Sequence, residues 1–248
     1  MKLAHLQLPG LTRYAYASEL QQHLVTTFLS FKSSPTTLTR PVPTIITASF
    51  RPVYTCGRRE VNTVSQEHQI YLRNQGQAEF HETMRGGQTT FHGPGQLVAY
   101  PIIDLKQYNM SPRNYISLLE DCLISTCARY GIKGFTTKNP GVWTSLDHKI
   151  AAVGVHLRRN ITSHGIGLNI STDLKWFDRI VACGLEGKYA TSFEKQGVLN
   201  TSVDEVARIF VGEFGRQIDT EPYEISPQDL PLLERGMRSS YCQSPNEE

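Results

Sequence analysis

The segment RGGQTTFHGPGQLVAYPIIDL, from Arg85 to Leu105, restricts the fold more than any other part of the chain. Gly86, Gly87, Gly93 and Gly95 crowd its first half. Glycine at that density weakens helix and strand alike, so Gly86–Gly95 is a loop with demanding backbone angles or a close backbone approach. Leu97–Leu105 is rich in Leu, Val, Tyr and Ile, carries Asp104 near its end, and reads as a buried strand. A loop of this kind feeding a rigid strand suits binding or catalysis. It is not a phosphate loop, because GxxxxGK[ST] is absent. Nor is it a dinucleotide fingerprint, because GxGxxG is missing and the loop precedes its strand.

The rest of the chain supplies an α+β set of elements around that loop. Leu3–Leu8 reads as a strand and Pro9-Gly10 as a turn, and Leu20, Leu24, Phe28 and Phe31 predict a helix over Ser18–Phe31. Ser33–Pro43, rich in Pro and Thr, reads as a surface loop. Thr44–Ala48 is a β-branched strand, and SFRPVYTCGRRE continues extended into a basic turn. Ser111-Pro112 starts a helix that Gly131 stops. GVWTS and KIAAVGVHL read as a hairpin, followed by the strand HGIGLNIS. Asp173 opens a short helix through Ile180. Ser202 and Glu205 form a capping box for a last helix carrying Val206, Ile209, Phe210 and Phe214. The tail beyond Pro222 is polar and weakly patterned. No repeat or composition break divides the chain, which predicts a single domain over residues 1–248 with its core at about 3–214.

Composition narrows the function classes. A net charge of +2, with Arg58-Arg59 and Arg158-Arg159 far apart, gives no basic stripe, so no nucleic-acid partner is expected. No apolar run approaches the ~20 residues of a membrane helix, so no membrane span is expected. Cys56, Cys122, Cys127, Cys183 and Cys242 show neither a CxxC pair nor zinc spacing, which favours reduced thiols. Cys122 and Cys127 lie in a helix and read as core. Cys183, in VACGLEG, fits that reading less well: a following glycine can leave room for an acyl group and free amides to hold an oxyanion, so an inert thiol and a nucleophile both stay open. Lys149 opens an apolar strand and is either a solvated edge residue or an inward ammonium beside a thiol. His92 and His164 each precede a glycine without an acidic or thiol set at metal spacing, so no metal is expected.

RGGQTTFHGPGQLVAYPIIDL, KIAAVGVHLRRNITSHGIGLNISTDL and ACGLEG, in this order and spacing, resemble the lipoyl(octanoyl) transferase family. Upstream, RPVYTCGRR and LPGLTRYAYASELQ are similar to that family's extended segment and N-terminal entry. The resemblance covers about Leu3 to Phe214, and CGLEGKYATSFEKQGV resembles the fungal members. Ser33–Pro43, which looks like a loop insertion, and the polar tail depart from it.

The resemblance implies a biotin/lipoate protein ligase-like catalytic domain, a mixed β-sheet flanked by helices. Octanoyl (or lipoyl) transfer from an acyl carrier protein to lipoyl domains, those of glycine cleavage H protein and 2-oxoacid dehydrogenase E2 subunits, is the implied activity, with no cofactor. Cys183 takes the nucleophile's place and Lys149 that of its partner lysine. The substrate-binding loop falls on Arg85, Gly86, Gly87, Gln88, Thr89, Thr90, Phe91 and His92, with the glycines letting backbone crowd the thioester and His92 lining the mouth. Two smaller binding segments fall on Ala152, Val153 and Gly154, and on Gly165, Ile166 and Gly167 beside His164. An ATP-dependent lipoate or biotin ligase and an inactive acyl-carrier-binding protein are the alternatives on the same fold. A mitochondrial location is implied by the fungal resemblance, against a cytoplasmic one.

Overall fold

The computed structural model describes residues 2–180 and 187–229. β1 (Lys2–Thr12), α1 (Tyr14–Ser33), β2 (Thr44–Phe50) and β3 (Val53–Cys56) come first, followed by α2 (Gln66–Arg73), β4 (Glu79–Glu82), β5 (Thr90–His92) and β6 (Gln96–Ile102). Then come α3 (Pro112–Ala128), β7 (Val142–Trp143), β8 (His148–Arg158), β9 (Ile161–Asn169), β10 (Tyr189–Ala190), α4 (Val203–Gln217) and β11 (Glu221–Ile225). The main sheet runs β10-β8-β9-β6-β2-β1-β11 with β7 beside β8, and a small sheet runs β4-β3-β5. It is mixed: β1 is parallel to β2 and β11, whereas β6, β8 and β9 pair antiparallel.

Side-chain alternation sets the layers. In β2, Ile45 enters one core and Ile46 the other; in β6, Leu97 and Ala99 oppose Val98, Tyr100 and Ile102. Both faces are apolar, so both need a cover. Tyr115, Leu119 and Cys122 of α3, with Phe210 and Phe214 of α4, close the first. Ala17, Leu20, Leu24 and Phe28 of α1 close the second. A third cluster, Tyr54, Leu72, Ala78 and Phe91, joins the small sheet to Trp176 and Phe177. Cys56, Cys122 and Cys127 are fully buried thiols; Cys183 and Cys242 lie outside the described residues.

The helix starts at Ser111 and Ser202 form as the sequence predicts, each serine oxygen accepting from an amide three residues on, Asn114 N at 3.1 Å and Glu205 N at 3.1 Å. Val142 and Trp143 pair with β8, completing the predicted hairpin. β8 and β9 turn on Arg159 and Asn160, both at positive φ (51° and 67°), the geometry of a two-residue type I′ turn. Four expectations change. β1 continues past Pro9-Gly10 with a register shift between Gln7 and Leu11, and α1 starts at Tyr14. Thr90–His92, expected as loop, pairs with β3. The weakly patterned tail contributes most of β11, parallel to β1 from Lys2↔Glu221 to Leu6↔Ile225.

Candidate active site

The sheet is incomplete where the site forms. β6 and β9 pair from Gln96↔Asn169 to Ala99↔Ile166, and the ladder then lapses. His164 sits there with φ 56°, a left-handed backbone uncommon outside glycine, and its amide donates to Gln21 Oε1 of α1 at 2.5 Å. Gly165 is required next: a Cβ would stand 2.2 Å from the Ala99 carbonyl oxygen. Beneath this lapse, Tyr100 and His164, rings 5.5 Å apart, line a cavity.

Two adjoining cavities, both open to solvent, meet here. Thr90, His92, Lys149, Ala152 and Gly167 line both. Arg85, Gln88, Thr89, Val153, Gly154, His164, Gly165 and Ile166 line the second, and Phe91 the first. Gly86 and Gly87 line neither. The first cavity is walled by Trp143, Phe91, Phe177 and Ile180; Tyr14 and Tyr100 join the polar wall of the second. Fold thus gathers segments separated by some sixty residues of chain. Cys183 lies outside the described residues.

Gly86 is tied into the backbone beneath the loop, and Gly87 takes φ 88°. A Cβ at Gly57 would stand 2.1 Å from the Gly87 carbonyl oxygen, so the loop crosses Gly57 in direct backbone contact. Arg58 N donates to Arg85 O at 2.9 Å and Gly86 N to Val155 O at 2.9 Å, tying the loop to β8. Glu60 Oε2 accepts from Thr89 N and Oγ1 at 2.5 and 2.7 Å. Arg85, buried, donates to the carbonyls of Thr55, Gly86 and Gln88 at 2.5, 3.0 and 3.0 Å. Its guanidinium is the peg on which the loop folds.

His92 lines both cavities and is 7% exposed. A polarity chain fixes its tautomer. Asn169 Nδ2 donates to Thr191 O at 2.9 Å, so Asn169 Oδ1 is free to accept from Gln96 Nε2 at 2.8 Å. Gln96 therefore presents Oε1 to His92 Nδ1 at 2.6 Å, and Nδ1 carries the proton. Burial holds the ring neutral, its pKa pushed down to about 4 against the opposing Gln96 bond. Nε2 is then a lone-pair acceptor in the cavity wall.

Lys149 lines both cavities from near the edge of the sheet. From the second position of β8, its Nζ donates to Pro140 O at 3.0 Å and stands 4.6 Å from the centre of the Trp143 ring, a cation–π contact. The hairpin register, Trp143↔Lys149, creates that stacking. Sequence reasoning missed Gln96, Asn169, Tyr100 and Trp143 as site residues. The first lies four residues after His92 in HGPGQ and the second in GLNIS, where each looks like ordinary strand polarity. Among the described residues, no helix is long and apolar enough to cross a membrane.

The lipoyl protein ligase A/B catalytic domain family matches residues 13–215. The "Probable octanoyltransferase" of Schizosaccharomyces pombe is 50% identical over 202 residues, covering 81% of this chain and 89% of that protein. "Octanoyl-[acyl-carrier-protein]:protein N-octanoyltransferase LIPT2, mitochondrial" of Danio rerio is 41% identical, covering 88% of this chain and 92% of its own length. Among solved structures, a bi-partite lipoate protein ligase from Thermoplasma acidophilum superposes with a TM-score of 0.62 at 13% identity, over 91% of this chain and 86% of that one. At that identity the likeness speaks for the fold alone, and it agrees with the expected lipoate ligase-like α+β architecture. On the family match and the two relatives, the chain belongs to the lipoyl protein ligase A/B catalytic domain family.

Proposed function

We infer that this chain is an octanoyltransferase that moves an octanoyl group from acyl carrier protein to a lysine ε-amine of a lipoyl domain. The observation that carries this reading is the 50% and 41% identity, over most of the chain, to relatives named for that activity. In support, Lys149 lines an aromatic cavity whose wall also includes Ile180 and Lys188, which stand on the two sides of the Cys183 segment in sequence.

On this reading the Cys183 thiolate attacks the octanoyl carbonyl carbon. A new C–S bond forms, the carrier's C–S bond breaks, and the departing carrier thiolate takes a proton from the Lys149 ammonium. Exchange of one thioester for another costs little, and no ATP enters. The acceptor's neutral amine then attacks, a C–N bond forms, Cys183 leaves as thiolate, and the amine's proton passes to neutral Lys149. The Trp143, Phe91 and Phe177 walls suit the alkyl chain. Glycine cleavage H protein and 2-oxoacid dehydrogenase E2 lipoyl domains are the proposed acceptors. A mitochondrial location is proposed from relatives that carry that word in their names.

Intact-mass time courses with octanoyl-carrier test this. Wild type should gain one octanoyl group and lose it when lipoyl domain is added, whereas Cys183→Ala should gain none. Lys149→Arg should load and discharge slowly, since guanidinium cannot surrender a proton near neutral pH. Turnover by Cys183→Ala at the wild-type rate would sink the covalent route, and pyrophosphate release from ATP with free octanoate would favour a ligase.

A further inference from the structure

Behind the cavity wall stands a carboxylate that the proposed chemistry does not use. Glu120, on α3, is 7% exposed and lines neither cavity. Its Oε1 accepts from Gly141 N at 2.8 Å. The oxygen of that same amide, Pro140 O, accepts from Lys149 Nζ at 3.0 Å. One planar peptide group therefore joins a buried carboxylate on one side to an ammonium on the other. A carboxylate on the N–H end draws electron density toward the carbonyl, and each bond strengthens its neighbour, by ~10–30% in such chains.

The local backbone is built for this link. Gly141 has φ 119°, and a Cβ there would stand 2.4 Å from Ala151 O and 3.4 Å from Lys149 Cε. Only glycine lets the Pro140–Gly141 peptide lie against the Lys149 stem. Burying the carboxyl is costly: desolvation raises its pKa, the Asp121 charge adds to the rise, and the Gly141 hydrogen bond and the Lys149 charge oppose it. A neutral amide side chain would satisfy Gly141 N–H without that cost.

We propose that Glu120 is a positioning residue for Lys149, gripping the Pro140–Gly141 amide so that its carbonyl holds Nζ over the Trp143 ring at the junction of the two cavities. This rests on the reading of Lys149 as the lysine of the transfer reaction.

Glu120→Gln and Glu120→Ala, in the full chain, test it by two readouts. In octanoyl transfer, Glu120→Ala should lower kcat by about tenfold or more with KM for both carriers within about twofold, and Glu120→Gln should lie between it and wild type. In a Lys149→Met background, Glu120→Gln should cause no further loss, because its effect passes through Lys149. The second readout needs no turnover: the rate at which a small amine-reactive reagent labels Lys149, followed by peptide mass, should rise severalfold in Glu120→Ala. If Glu120→Ala fails to fold, Glu120→Gln carries both measurements. Wild-type kcat together with wild-type labelling, or an equal fold loss with and without Lys149, overturns the proposal. Faster labelling in a chain whose wild type transfers nothing would uphold the anchoring and reject the transfer reading instead.

Discussion

His92 and His164 occupy the walls of the second cavity, and both are held neutral by burial, with the Arg85 guanidinium nearby disfavouring a proton on each. Their pKa values fall from 6.5 to about 4 and about 3. The unfolded chain therefore binds protons that the folded chain refuses. Stability from these rings is complete above pH 6.5 and drains away as pH falls toward 4, by about 1.4 kcal/mol per unit for each ring. Between pH 7 and 5 each should cost roughly 2 kcal/mol. Denaturant melts of wild type and His164→Asn at both pH values test this. Asparagine tolerates the left-handed backbone at position 164 and does not titrate, so the variant's pH dependence should shrink by one ring's share, and an unchanged dependence would mean that His164 is not buried neutral. Both histidines are legible in the sequence, each ahead of a glycine. Their setting is not. Gln96 and Asn169, which orient His92, are 73 residues apart, and no local pattern announces that pairing.

β9 shows what an element contributes beyond its residues. Gly165 and Gly167 look alike in HGIGLN, yet the space beside each differs. A Cβ at 165 would collide with backbone, Ala99 O at 2.2 Å, whereas one at 167 would meet the tips of Gln96 and His92 at 3.3 and 3.4 Å. Gly165→Ala should thus cost about 3 kcal/mol, the upper end of ordinary overpacking, because β6 or β9 must shift. Gly167→Ala should cost well under half of that by the same scale, while displacing His92 and slowing transfer. Melting temperature alongside activity separates them; equal stability losses would refute the contrast. The same distinction between local and non-local explains which elements the sequence revealed. α3 and α4 announce themselves through serine caps and apolar faces. α2 buries only Leu72, so no apolar period marks it despite its Ser65 cap. β11 is exposed along most of its length and exists because β1 offers a parallel edge, information that lies more than two hundred residues upstream.

At the scale of the molecule, a net charge of +2 is too small to steer a partner, and what matters is where the fold sets its charges. Arg58 and Arg158, a hundred residues apart, both lower the His156 pKa, after burial as the larger cause, so they approach one surface. The loop makes that convergence: Arg58 N is held by Arg85 O, and Gly86 N by Val155 O of β8. Arg58, Arg59 and Arg158 are exposed there, while Arg159 turns away at the hairpin tip to donate to Ser33 Oγ at 3.3 Å. The acyl carrier protein and lipoyl domains proposed as partners are expected to be acidic, and this patch lies along the loop that lines the second cavity. Reversing Arg58 and Arg158 to glutamate should therefore raise KM for the octanoyl-carrier by about tenfold at low salt and leave kcat nearly unchanged, since charged rims govern encounter more than chemistry. Added salt should weaken the wild type toward the variant, because screening acts on exposed charges within a Debye length of ~10 Å at 0.1 M. The check is kcat/KM across an ionic-strength series for both proteins. A steep fall for wild type and a flat or rising line for the variant place the patch in the encounter; parallel lines make these arginines ordinary solvated charges and send the docking face elsewhere on the rim.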